Sequence, residues 1–151
     1  MNKQFTLPKK FAVTWTKALR SKKFKQGRRA LVSFQGDAPT VEMTDFCCLG
    51  VAGHLCGNSI LDLSQKNYLL VRTTKNIPVE ILGSSTRNKL VSILSTLNDG
   101  ITQDDFKRLS KKYIFRPNIS NMFNSIKAHI IVPISFKDIA NFIEDNCEFT
   151  E

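Results

Sequence analysis

Between Asp45 and Gly57 the chain reads Asp-Phe-Cys-Cys-Leu-Gly-Val-Ala-Gly-His-Leu-Cys-Gly, and no other window constrains the fold as strongly. It holds three of the four cysteines, three of the seven glycines and one of the two histidines. Small side chains let backbones approach closely. The window is therefore expected to be a short buried helix, opened by Asp45 as N-cap and closed at Gly57-Asn58, onto which the other elements pack. Phe46, Cys47, Cys48 and Gly50 are its expected structural centre.

A chain of 151 residues is the usual size of one domain with one core. The expected class is α+β, a single compact domain in which a small antiparallel sheet packs with about five helices around the Cys-Cys-Leu-Gly-Val helix. Phe11, Trp15, Ala18 and Leu19 recur at helical spacing, which predicts an amphipathic helix over 8–22. A strand at 30–34, a turn at 35–39 and a returning strand through Val41, Met43 and Phe46 follow. Further strands are expected at 68–73 and 79–82, and a helix at 86–97 capped by Ser84 or Ser85 and ended by Asn98-Asp99-Gly100. Thr102 and Asp105 have capping-box spacing for a helix at 103–113. Arg116-Pro117-Asn118 breaks the pattern, and 126–132 reads as a strand. Ser135, Asp138 and the Ile134/Ile139 pair sign the last helix.

The formal charge of +9 is unevenly spread. Residues 1–36 carry ten of the 22 Lys and Arg and none of the 13 acids, whereas Asp138, Glu144, Asp145, Glu148 and Glu151 make the C-terminal end acidic. Such a dipolar chain attracts phosphate-bearing or acidic partners to its basic side. Arg20, Lys22, Lys23, Lys25, Arg28 and Arg29 fall within ten residues, interleaved with Phe24 and Gln26, and Trp15 lies just upstream. Cations neutralise phosphates and aromatic rings stack on bases, so Trp15, Arg20, Lys22, Phe24, Lys25, Gln26, Arg28 and Arg29 form the candidate ligand-binding set. Lys107, Arg108, Lys111 and Lys112 make a second basic face that extends the surface or lines a cleft with it.

Other chemistries find little support. Cys47 and Cys48 are adjacent and suit reduced thiols better than a disulfide framework. The cluster of Cys47, Cys48, His54 and Cys56 lacks the second ligand pair of a structural zinc site, because Cys147 stands alone. Cys47 and His54 are two helical turns apart, too far for a nucleophile and its base. No triad order, Walker loop or dinucleotide fingerprint is present, so neither a metal, a cofactor nor a catalytic residue is assigned. No apolar run reaches the roughly 18 residues of a membrane span, which makes an intracellular protein the expectation.

Trp15-Thr16-Lys17-Ala18-Leu19-Arg20-Ser21, Phe24-Lys25-Gln26, Phe46-Cys47-Cys48-Leu49-Gly50-Val51, Leu97-Asn98-Asp99 and Ser135-Phe136-Lys137-Asp138-Ile139-Ala140 occur in this order. The series resembles the landmarks of a group of small tailed-bacteriophage proteins, in which a Ser-Phe-x-Asp/Glu-Ile-Ala helix closely follows an Asn-Asp turn. Here about 100–134 intervene, as a family-specific insertion would. The resemblance implies a phage accessory protein acting in the cytoplasm of an infected bacterium, in counter-defence or host takeover. It transfers no catalytic residues. The function expected from charge and resemblance together is capture of a nucleotide immune signal or nucleic acid without catalysis, possible homo-oligomerisation included. An inhibitor docking on an acidic host protein and a nucleotide-processing enzyme using His54 or His129 are the alternatives.

Overall fold

The computed structural model of the chain describes residues 3–65 and 89–151. Its elements, in chain order, are β1 (Phe5–Pro8), α1 (Lys9–Arg20), β2 (Lys25–Gln26), β3 (Val32–Phe34), β4 (Thr44–Phe46), α2 (Cys48–Leu55), α3 (Ile60–Ser64), α4 (Lys89–Asp99), α5 (Gln103–Ser110), α6 (Pro117–Ser125), α7 (Phe136–Asn146) and β5 (Cys147–Thr150). A single 3-10 turn over Val41–Met43 precedes β4. The fold is α+β, with seven helices among the described residues.

Strand pairing departs from the expected antiparallel sheet. β4 is the centre of a three-stranded sheet, antiparallel to β3 but parallel to β2, while β1 and β5 form a separate parallel pair. β2 reaches its parallel position because the chain turns back through 27–31 before β3 begins. The β1–β5 ladder joins residues about as far apart in sequence as the chain permits, Phe5 opposite Cys147 and Pro8 opposite Thr150, so no local pattern announces it. It delivers the chain into α1, whose Phe11, Ala12, Trp15 and Leu19 are buried, mainly against α7.

The Cys-Cys helix starts later than Asp45. β4 stays extended through Phe46, which pairs with Val32 and Gln26, so α2 opens only after Cys47. Cys47 itself is the N-cap, its Sγ accepting from the Gly50 N–H at 3.2 Å. Cys48, Leu49, Gly50, Val51, Ala52 and Gly53 are all buried. At Gly50 an added Cβ would collide with the Leu31 carbonyl oxygen, which already accepts from the Cys47 N–H at 3.0 Å. Trp15 crosses from α1 to donate its indole N–H to the Cys48 carbonyl at 3.0 Å. These contacts join α1, α2 and the three-stranded sheet into one core.

Both N-caps fall where their spacing predicts, but only the first is a reciprocal box, since Asp138 accepts from the Ser135 hydroxyl rather than from its N–H. Thr102 and Asp105 exchange both bonds at the start of α5, and Ser135 caps α7 by accepting from the Asp138 N–H. Between them the expected strand at 126–132 is absent. The chain there makes a single bridge, Ile101 opposite Val132, and leaves Ile130 and Ile131 exposed. Pro117, read from sequence as a break, is instead the first residue of α6, where its missing N–H has no cost and its fixed φ suits the helix. Ile119 and Phe123, four apart, bury that helix, Phe123 stacking on Phe106 of α5 at 4.8 Å between centroids. The two ends of 101–132 thus meet at one antiparallel bridge, and the segment between them contributes Phe106, Tyr113, Ile119 and Phe123 to the common core. The strands expected at 68–73 and 79–82, and the cap expected at Ser84 or Ser85, lie outside the described residues.

Candidate functional site

The basic segment is read best from the polar groups that hold it. β2 alternates, with Lys25 exposed and Gln26 turned inward. Gln26 donates from Nε2 to the Ile134 carbonyl at 2.7 Å and to Asn98 Oδ1 at 3.2 Å, and its Oε1 accepts from the Phe136 N–H at 3.1 Å. Asn98, fully buried near the end of α4, completes a node. Its Oδ1 also accepts from the Cys48 N–H at 3.1 Å, and its Nδ2 donates to the Gly27 carbonyl at 2.8 Å. Two side-chain amides therefore tie β2, the start of α2, the end of α4 and the start of α7 together.

Beyond Gln26 the mooring continues. The Gly27 N–H donates to Phe46 O at 2.7 Å, and Gly27 lies so close to β4 that an added Cβ would meet Asp45 Cβ at 2.8 Å. The Arg29 N–H donates to Asp99 Oδ1 at 2.8 Å. Arg29 has φ 66°, the one positive value on a non-glycine among the described residues. That region costs an L-residue roughly 1–2 kcal/mol unless local bonds offset it. Glycine would take this conformation freely, yet the position carries a long cation.

The candidate residues divide on this scaffold. Lys22, Lys23, Lys25, Arg28 and Arg29 are exposed, and none makes an ion pair among the described residues. Gln26 is a structural tie. Trp15 and Phe24 do not serve as stacking platforms, because Trp15 is 0 % exposed and Phe24 7 %. Phe24 instead packs edge-on to Phe46 at 5.0 Å and beside His54, while Lys23 Nζ lies 5.6 Å from its ring centre. The spacing Trp15, Leu19 was already a core stripe, and burial decided which role the ring plays.

Arg20 also leaves the candidate set. Its guanidinium donates to both oxygens of Glu144 and to Asn141 Oδ1 at 2.7 Å, sewing α1 to α7. The hydrogen bonds from Arg20 hold the Glu144 carboxyl below its ordinary range. Arg116 bonds Asp145 through Nε at 2.9 Å and also pairs with Glu144, and Lys9 pairs with Glu151. Glu144, Asp145 and Glu151 of the acidic C-terminal end are thus paired with cations that fold against them, whereas the cations of 22–29 make no ion pair among the described residues.

The sulfur and imidazole groups form no reactive arrangement. All four cysteines are buried and unpaired. Burial pushes the Cys47 thiol up to about 11 and the Cys56 and Cys147 thiols to about 12, and it raises Cys48 well above the ordinary thiol value. Cys56 donates to the Ala52 carbonyl and Cys48 to the Leu94 carbonyl, as small interior groups. His54 Nδ1 lies 3.2 Å from the Asn58 carbonyl, which fixes its proton there. His129 is exposed on the 126–132 segment. No group of three or more His, Cys, Asp or Glu fit to hold a metal occurs among the described residues, and no described helix is long and apolar enough to cross a membrane.

The second basic face, on α5 and the turn after it, carries Lys107, Arg108, Lys111 and Lys112. Arg108 pairs with Asp105 on its own helix at 3.1 Å. No long-range side-chain bond of these four links the face to the 22–29 loop among the described residues. A cavity of about 10 Å³, room for roughly one water, is lined by Ile114, Phe115, Arg116, Asn141, Phe142 and Asp145 among others, and shares no residue with the loop. Sequence reasoning missed Asn98 and Asp99 as the residues that position the loop, although both stand in the Leu-Asn-Asp landmark. Comparison with family models, with curated proteins and with solved structures finds no match to this chain.

Proposed function

We propose that the protein is a non-catalytic binding protein that captures a phosphate-bearing ligand on the exposed loop 22–29, with Lys22, Lys25, Arg28 and Arg29 as phosphate contacts. One observation carries the reading: five exposed cations without an ion partner among the described residues sit on a loop held by the side-chain amides of Gln26 and Asn98. A solubilising charge run needs no such mooring. Preorganisation lowers the ordering cost that a floppy lysine-rich tail pays on binding. Arg29 supports the same reading, since a strained backbone kept for a non-glycine points to use of its side chain.

The five ordered landmarks converge on the Gln26–Asn98 node and its neighbours, which supports treating them as one pattern and, with the resemblance, a phage accessory role in the infected cell. The test is thermal stability and electrophoretic mobility of the purified chain with cyclic and linear nucleotides and with oligonucleotides. A ligand-dependent rise in Tm, with the ligand recovered intact by chromatography, is expected. Indifference to every phosphate compound removes the proposal, and cleavage of any ligand replaces it with an enzyme.

A further inference from the structure

The chemistry of the loop narrows its ligand. Recognition of single strands and free nucleotides relies on aromatic faces on which bases stack. Among the described residues no Phe, Tyr or Trp side chain is exposed: Trp15 and Phe24 are spent on the core, and Phe34, beyond Arg29, is half-buried. Base edges in a duplex are read from within a groove by a helix or a two-stranded ribbon, Arg or Lys meeting guanine and an amide meeting adenine. The loop 22–29 contains no helix, and its one strand, the two-residue β2, is paired to β4. Lys22, Lys23, Lys25, Arg28 and Arg29 donate only, and Gln26, the one amide among them, is consumed by three bonds inside the fold.

We infer that the loop 22–29 grips the sugar-phosphate backbone of a double-stranded nucleic acid and reads no bases. This rests on the proposed phosphate-binding role and commits it to one ligand class. A duplex presents phosphates at fixed spacing on a stiff rod, which matches a rigid array of cations better than a flexible strand does. Two carboxylates border the array and limit its strength. Asp45 faces Lys25 across the β2–β4 ladder, and Asp99 holds the Arg29 amide.

The experiment uses the full chain and fluorescein-labelled 20-base-pair DNA and RNA duplexes of two unrelated sequences, a 20-mer of deoxythymidine, and cyclic and linear nucleotides. Fluorescence anisotropy is followed from 50 to 200 mM NaCl. With four phosphate contacts the duplex affinity falls with a log-log slope of about −3.6, or about 150-fold over that range. Both sequences bind alike, and the single strand and nucleotides bind at least tenfold more weakly. DNA and RNA duplexes share the backbone chemistry, and preference for either one identifies the source. The triple variant Lys25→Gln, Arg28→Gln, Arg29→Gly flattens the slope by about 2.7. Its substitutions are exposed and Arg29→Gly relieves the positive φ, so an unchanged circular dichroism spectrum and a Tm no lower than that of the native chain accompany the loss.

Tighter binding of the single strand or of a nucleotide overturns the duplex assignment and leaves phosphate capture standing. Binding of no phosphate compound overturns both. Polyglutamate that displaces the duplex at equal charge concentration overturns it in favour of an acidic protein partner. A triple variant Lys107→Gln, Lys111→Gln, Lys112→Gln on the α5 face that costs as much slope as the loop variant also overturns it, because the site would then be diffuse charge.

Discussion

Two stretches of this chain are rich in lysine and arginine, and folding treats them differently. Residues 107–112 coat the outside of α5 and the turn that follows, anchored by helix geometry and by the Thr102–Asp105 capping box. Residues 22–29 lie on no helix and are held through Gln26, Asn98 and Asp99 by bonds that span 70 or more residues. An amphipathic helix needs a solvated face, so lysines on its outside satisfy that need with no ligand. A loop held by long-range side-chain amides has no such need. The contrast teaches that charge density alone does not mark a site, and that rigid placement is what sets 22–29 apart from the α5 face.

The largest effect expected from breaking this contrast is at Asn98. Replacement by Ala orphans the Cys48 N–H, the Gly27 carbonyl and one Gln26 contact at a fully buried position, which should cost about 3 kcal/mol or more. Denaturant unfolding measures this, and a loss under about 1 kcal/mol would mean that water replaces the amide. Gln26→Ala removes three bonds from a half-buried site and should cost about 2 kcal/mol. Because Gln26 lies inside the basic segment, faster amide exchange at 25–29 should accompany that loss. Unchanged exchange would separate the node from the loop it is said to hold.

On the other side of the contrast, Thr102→Ala deletes the α5 cap and should cost about 1 kcal/mol. Duplex binding at the loop should be untouched. An equal decline in binding would show the two basic regions to be coupled through the bridge at Ile101 and Val132, whose mutual bonds are 2.9 and 2.8 Å.

The elements with local signatures were readable before folding. α1, α5 and α7 announce themselves through the Trp15–Leu19 stripe, the Thr102–Asp105 box and the Ser135–Asp138 cap, each spanning four or five residues. The β1–β5 pair had no such signature, since its partners are joined only by the completed core. α6 was hidden because Pro117 reads as punctuation until the Ile119–Phe123 spacing is given weight. At the candidate site, charge was legible and burial was not. Trp15, Phe24, Arg20 and Gln26 belonged to the candidate set by type and proximity, yet each is claimed by a partner far along the chain: Cys48, Phe46, Glu144, and Asn98 with Ile134. Free cations could be told from bound ones only in the fold.

Arg20 gives the finest division of the basic segment, because it is continuous with the loop in sequence and belongs to the α1–α7 seam in space. Its hydrogen bonds to Glu144 lower that carboxyl in the folded state. A carboxyl lowered by folding adds stability above its unfolded value and loses it as the pH falls through the folded value. Both side chains are about a third exposed, so solvent screens the pair and its effect is modest. Arg20→Gln should lower Tm slightly at neutral pH, and the gap from the native chain should close as the solution is acidified below the ordinary carboxylate range. Arg116 still pairs with Glu144 and retains part of the depression in the variant. Duplex affinity should change less than it does with Arg28→Gln. A gap that holds constant or widens toward acid pH would refute the seam assignment, and a binding loss equal to that of Arg28→Gln would return Arg20 to the site.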